Sequence, residues 1–124
     1  MIVMIYDDLY KTFKKEIPEC LSFVEVKEEE NLIDETDGLH IVFGMVVVPY
    51  ILYIVQNIKM FEIEKTFLFL ENMAMCEDVR IKEVLDFTIL EQIADEGHDI
   101  LGQCKQYMWE NTLKHCEEIE KYFL

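Results

Sequence analysis

The stretch Leu39–Ile58, LHIVFGMVVVPYILYIVQNI, decides the fold. It is long enough to cross a bilayer, which takes about 20 residues. Several features argue against that. Gly44 and Pro49 interrupt the run, and Tyr50 and Tyr53 would lie near mid-membrane instead of in an interfacial belt. His40, Gln56 and Asn57 stand inside its ends, and no cluster of Lys or Arg flanks it to set an orientation. A β-strand over Ile41–Val48 is the competing assignment, because Val46, Val47 and Val48 are β-branched. The reading adopted is a buried helix that breaks near Val48, with Pro49 at the first position of the next helix, where its missing N–H costs nothing.

The composition around this run supports helices. Four Gly and two Pro are six breakers in 124 residues, against about 12 % in average usage, so the chain is short of turns. A length of 124 residues makes one domain, 1–124. With 52 % apolar and 30 % charged residues, the chain is too hydrophobic to remain disordered. A domain of this size needs neither disulfide nor metal to fold.

Outward from the central run, apolar residues recur at three and four spacing. Ile2, Ile5, Tyr6, Leu9, Tyr10, Phe13 and Ile17 predict an N-terminal helix that Pro18 ends. Downstream, Ile63, Phe67, Leu70 and Ala74 form the inner stripe of a helix over about 62–76. Asp78 is placed as the N-cap of a further helix over about 79–95, with Val84, Phe87, Leu90 and Ala94 facing the core and Gly97 as the left-handed residue beyond its end. A last helix is expected from about Asp99 to Tyr122, supported by a Glu117–Lys121 pair. The hexads Phe69-Leu-Glu-Asn-Met-Ala74 and Ile89-Leu-Glu-Gln-Ile-Ala94 share one pattern, and predict a packed antiparallel pair of helices. Two copies fall short of a solenoid. The expected fold is all-α: a single compact bundle of about five to six helices built from antiparallel hairpins.

Charge is the unusual quantity. Eleven Lys and Arg against 26 Asp and Glu leave −15, the sign of nucleic acid and of anionic membranes, so neither is an expected partner. The segment 25–37, EVKEEENLIDETD, holds seven acids and one Lys, a balance of −6. It is expected to be an acidic loop anchored only by Leu32 and Ile33. Its acids, Glu25, Glu28, Glu29, Glu30, Asp34, Glu35 and Asp37, are the candidate partner-binding residues: they mimic phosphates and steer association with a basic protein. Glu77, Asp78, Asp95, Glu96 and Asp99 extend the acidic character at predicted helix ends.

Catalytic chemistry finds little support. His40 follows Asp37 by three, His98 follows Asp95 by three and His115 precedes Glu118 by three, but no Glu-x-x-His motif of a di-iron bundle occurs. Glu71 and Glu91, brought together by the repeat, are the one carboxylate pair for acid–base work, and each is better explained as the polar flank of an amphipathic helix. Ser22 has no His or acid tied to it by spacing, no Gly-x-Ser-x-Gly elbow exists, and four isolated glycines make no phosphate loop. Cys20, Cys76, Cys104 and Cys116 have no CxxC spacing, and the N-terminus lacks the pattern of a signal peptide, which points to reduced cytoplasmic thiols. No enzyme activity, metal, cofactor or small-molecule ligand is expected. A carboxylate–metal enzyme is the weakest alternative.

One resemblance adds to this reading. His40-Ile-Val-Phe-Gly44, Val48-Pro-Tyr50 and the two hexads, the second extended by Asp95, resemble the small acidic helical immunity proteins of bacterial contact-dependent growth inhibition and polymorphic toxin systems, over about Leu39–Phe123. The resemblance implies a cytoplasmic, non-enzymatic protein that binds a cognate toxin domain, often a nuclease such as an RNase, and covers its basic active-site cleft. It assigns no binding residue. The alternative is a helical scaffold or adaptor subunit that binds a partner helix through an apolar face.

Overall fold

The computed structural model describes residues 2–123. Every regular element among them is helical, so the all-α expectation holds and the strand over 41–48 is excluded. There are seven helices, one more than the expected range: α1 (Leu9–Glu16), α2 (Leu21–Asn31), α3 (Leu39–Gln56), α4 (Met60–Met75), α5 (residues 79–95), α6 (His98–Lys105) and α7 (Glu110–Phe123). Short 3-10 turns at Tyr6–Asp8, Pro18–Cys20 and Glu35–Asp37 join or precede them.

The N-terminal helix starts later than the apolar spacing predicts. Ile5 is extended, and helical structure begins at Tyr6, where Asp7 and Asp8 occupy the first turn that the helix dipole favours for acids. The inward residues Leu9, Tyr10, Phe13 and Ile17 are buried, and Pro18 ends the helix as expected. Phe13 is the hub of the core. Its ring meets Phe43, Tyr50 and Phe69 edge-on, with centroids 6.1, 6.2 and 5.2 Å away.

α3 does not break at Pro49. It continues through a π-helical segment, Phe43–Val47, in which the Val48 N–H bonds to the Phe43 carbonyl five residues back. Pro49 brings no N–H, and the carbonyl of Met45, four residues before it, is approached instead by the side-chain amide of Asn31 at 3.5 Å. α3 is the one helix among the described residues whose length and composition would suit a bilayer, and half of that span is buried inside the fold.

A second π-helical segment, Val84–Leu90, lies in α5, where the Glu91 N–H reaches the Asp86 carbonyl. The extra residue per turn rotates the inner face, which now carries Leu85, Thr88 and Ile89 with Val84 and Leu90. Phe87, expected in the core, is 57 % exposed for this reason. The two π segments pack against each other. Gly44 permits the approach: a Cβ there would stand 2.6 Å from Gln92 Nε2 and 3.3 Å from Thr88 Cγ2. His40 Nδ1 closes the same contact on Thr88 Oγ1 at 2.6 Å.

Asp78 caps α5 as predicted, accepting the Arg80 N–H at 3.0 Å, and Gly97 follows its end with φ of 108°. The single C-terminal helix of the sequence reading is two, α6 and α7, separated by residues 106–109. The start of α7 is held from outside by Glu71 of α4, whose carboxylate accepts the N–H groups of Asn111 and Thr112. Such a tertiary cap stabilises an N-terminus where the local sequence gives no break signal. Lys121 pairs with Glu118 at 2.9 Å, not with Glu117.

Candidate functional site

The acidic segment is not a loop. Glu25, Glu28, Glu29 and Glu30 lie on α2, and the chain turns at Leu32, whose left-handed backbone (φ 55°) directs its N–H to the Glu28 and Glu29 carbonyls. Like charges three or four apart on a solvated helix cost only a few tenths of a kcal/mol per pair, too little to melt a helix held at both ends. Here Lys27 offsets Glu30 at 3.1 Å, and Asn31 bonds back to the Lys27 carbonyl at 2.9 Å.

Beyond Leu32, Asp34 and Asp37 form a reciprocal cap on the Glu35–Asp37 turn. Asp34 accepts the Thr36 N–H and hydroxyl, and Asp37 accepts the Asp34 N–H at 2.8 Å. The Thr36 hydroxyl and N–H hold the Asp34 carboxyl below its ordinary range.

The seven predicted acids therefore divide by role. Glu28 is structural: it accepts the Tyr10 hydroxyl at 2.6 Å, with the Lys14 ammonium 4.0 Å away. Burial, then this bond to Glu28, pushes the Tyr10 phenol far above its usual pKa. Glu30, Asp34 and Asp37 are engaged as described. Glu25, Glu29 and Glu35 are exposed and make no ion pair or side-chain hydrogen bond among the described residues. Of the accessory acids, Asp78 is spent on its cap and on Arg80, while Glu77, Asp95, Glu96 and Asp99 are exposed.

Two features of this surface carry no polar signal in the sequence. Leu32, between Glu29 and Glu35, is 90 % exposed in a conformation that leucine adopts at a cost. Beside α2 an aromatic groove of about 420 Å³ is lined by Phe23, Val26, Tyr50 and Tyr53, with Glu19, Glu62 and Lys59 at its edge. Phe23 stacks on Tyr53 with centroids 5.1 Å apart, and Tyr50 donates its hydroxyl to Glu62 at 2.8 Å.

The catalytic candidates resolve into structural contacts. Glu71 is buried and receives the N–H and side-chain amide of Asn111 and the N–H and hydroxyl of Thr112. Burial works to raise its pKa, but these four hydrogen bonds outweigh it and hold the carboxyl below the usual range. Glu91 is half-buried on α5 and shares none of them. His115 Nδ1 contacts Asp86 Oδ1 at 2.7 Å, linking α7 to the π segment of α5. Among the described residues no three or more His, Cys, Asp or Glu side chains group as a metal site.

No curated protein and no solved structure matches the chain. A family model matches residues 10–123, nearly the whole length, and the chain belongs to that family, whose description is "Domain of unknown function (DUF7674)".

Proposed function

We propose that this protein is a non-enzymatic inhibitor that binds a basic partner, with α2 and the turn after it as the recognition surface. In the form closest to the sequence resemblance, it is a cytoplasmic immunity protein that covers the phosphate-binding cleft of a cognate nuclease toxin. The seven helices, arranged as antiparallel hairpins, serve as the rigid mount.

One observation carries this reading. α2 gives the core a single fully buried residue, Val24, yet presents Glu25 and Glu29 without internal partners and leads to the exposed, left-handed Leu32. A helix kept only for packing would bury more, and an acidic surface kept only for solubility would not spend backbone strain on displaying a leucine. The free acids raise the encounter rate with a basic protein, and Leu32 with the Phe23–Tyr53 groove supplies apolar anchors inside a charged rim.

The test is association with the toxin domain encoded beside the gene. The rate constant is expected to fall steeply with added salt. Reversing Glu25, Glu29 and Glu35 to Lys should slow association more than it speeds dissociation, and co-expression should rescue growth from that toxin domain and no other. Binding that ignores both salt and these reversals would overturn the proposal in favour of a scaffold role.

A further inference from the structure

Two grooves open on the outer side of α4 and are one trough, because they share Leu68 and Trp109. The first, about 500 Å³, runs over Met60, Leu68, Tyr107 and Trp109. The second, about 540 Å³, continues past Leu68 to Met75 and Ile2. Met60, Leu68, Met75 and Trp109 are all exposed, and the first three recur on one face of the helix. Apolar side chains lined up in this way are not the scattered singles of an ordinary surface. Trp109 immediately precedes the α7 terminus that Glu71 holds, so this wall of the trough stands on a fixed element.

The charges at its edge have one sign. Glu16 and Glu64 line the trough and have no ion-pair partner among the described residues. The lone cation there, Lys65, is held by Glu19 at 2.9 Å and lies over the Phe61 ring at 5.0 Å. From Met60 to Met75 a helix rises about 22 Å, which matches a partner helix of about fifteen residues.

We propose that this trough takes an amphipathic helix from a partner protein, with its apolar stripe on Met60, Leu68, Met75 and Trp109 and its Lys or Arg flank toward Glu16 and Glu64. Charge argues for such an occupant over a second copy of this chain, which would bring another −15 to the same edge. The inference does not rest on the toxin reading, since it concerns a different face and needs no nuclease.

Trp109 is the only Trp, so its emission reports on the trough directly. The probe is a fifteen-residue Leu/Lys amphipathic helical peptide, compared with a scrambled peptide of the same composition. Expected are saturable one-to-one binding with a blue shift of the Trp109 emission, and affinity at least tenfold weaker for the scrambled peptide. Leu68→Gln and, independently, Met75→Gln should each weaken binding at least fivefold with an unchanged circular dichroism spectrum. The Glu25→Gln, Glu29→Gln, Glu35→Gln triple variant should bind within twofold of the wild type. Equal binding of the scrambled peptide, indifference to both apolar variants, loss of binding in the triple variant alone, or a dimer that fills its own trough would each overturn the proposal.

Discussion

The Glu71 carboxylate, on α4, accepts both the backbone N–H and the hydroxyl of Thr112, forty-one positions later, at 2.8 and 2.9 Å. This joins the helix that lines the trough to the first turn of the C-terminal helix. Truncating Glu71 to Ala leaves Asn111 and Thr112 without their acceptor and is expected to cost about 3 kcal/mol. The melting temperature should drop by on the order of 10 °C. The folded carboxyl titrates below its unfolded value of about 4.3, so its stabilisation is complete above that pH and fades as pH falls through the folded value. The gap in melting temperature between wild type and Glu71→Gln should therefore narrow between pH 6 and pH 3, and a constant gap would refute the assignment.

Thr66 is fully buried on α4, and its hydroxyl has no hydrogen-bond partner. Valine has the same shape without the unmet polar atom. Thr66→Val is expected to stabilise the fold by about 1 kcal/mol in urea unfolding, where most core changes destabilise. A loss of stability would mean the hydroxyl is satisfied in solution.

Ile58, just past the end of α3, has a left-handed backbone with φ of 51° and is 67 % exposed. For a β-branched residue this is strain with no burial to offset it. Ile58→Gly should raise stability by about 0.5–1 kcal/mol, the relieved strain exceeding the added entropy of the unfolded chain. The same change at Leu32 should leave stability level or higher while weakening capture of a basic partner. Chemical denaturation and a binding titration on one sample separate the two effects.

Burial raises the Cys20 thiol to about 11 and the Cys104 and Cys116 thiols to about 12, whereas Cys76 is partly open to solvent. Since the thiolate is the reactive species, native protein at pH 8 should titrate with about one thiol against a disulfide reagent, and with all four in denaturant. Mass mapping should place the single label on Cys76. Prompt labelling of Cys20 would contradict the packing of α1 on α2.

Within the acidic segment, Glu28→Gln should lower stability by about 1–2 kcal/mol, because it weakens the charged acceptor of the Tyr10 hydroxyl. Glu25→Gln, Glu29→Gln and Glu35→Gln should change it by less than about 0.5 kcal/mol each. Thermal melts of the four single variants sort structural from displayed carboxylates.

How much of this was legible depends on where the signals reside. The helical class, the inner stripe Ile63–Phe67–Leu70–Ala74 and the Asp78 cap follow from apolar spacing and local capping chemistry, and all stand in the structure. Helix ends were harder to read, because this chain closes them without glycine. Leu32 and Ile58 adopt the left-handed conformation that spacing rules assign to Gly, and α7 begins at a cap supplied from forty residues away. Phe87 was misplaced because a constant 3.6-residue period cannot register a π segment. At the candidate surface, the run of acids was plain, but its helical form and the division between Glu28 and its freer neighbours depend on Tyr10 and Lys14 from another helix. The trough was invisible, since Leu68, Met75 and Trp109 look like core residues until the turn between α6 and α7 is placed.

The wide turn in α3 makes the central helix sensitive to length in a way that its side chains alone do not suggest. Removing any one residue between 43 and 47 would let the backbone relax to regular winding and swing everything downstream by about 100°. Tyr50, Ile51 and Ile54 would then face water while Tyr53 turned inward. An alanine scan of these positions should be survivable at several sites, whereas a single-codon deletion should yield insoluble protein.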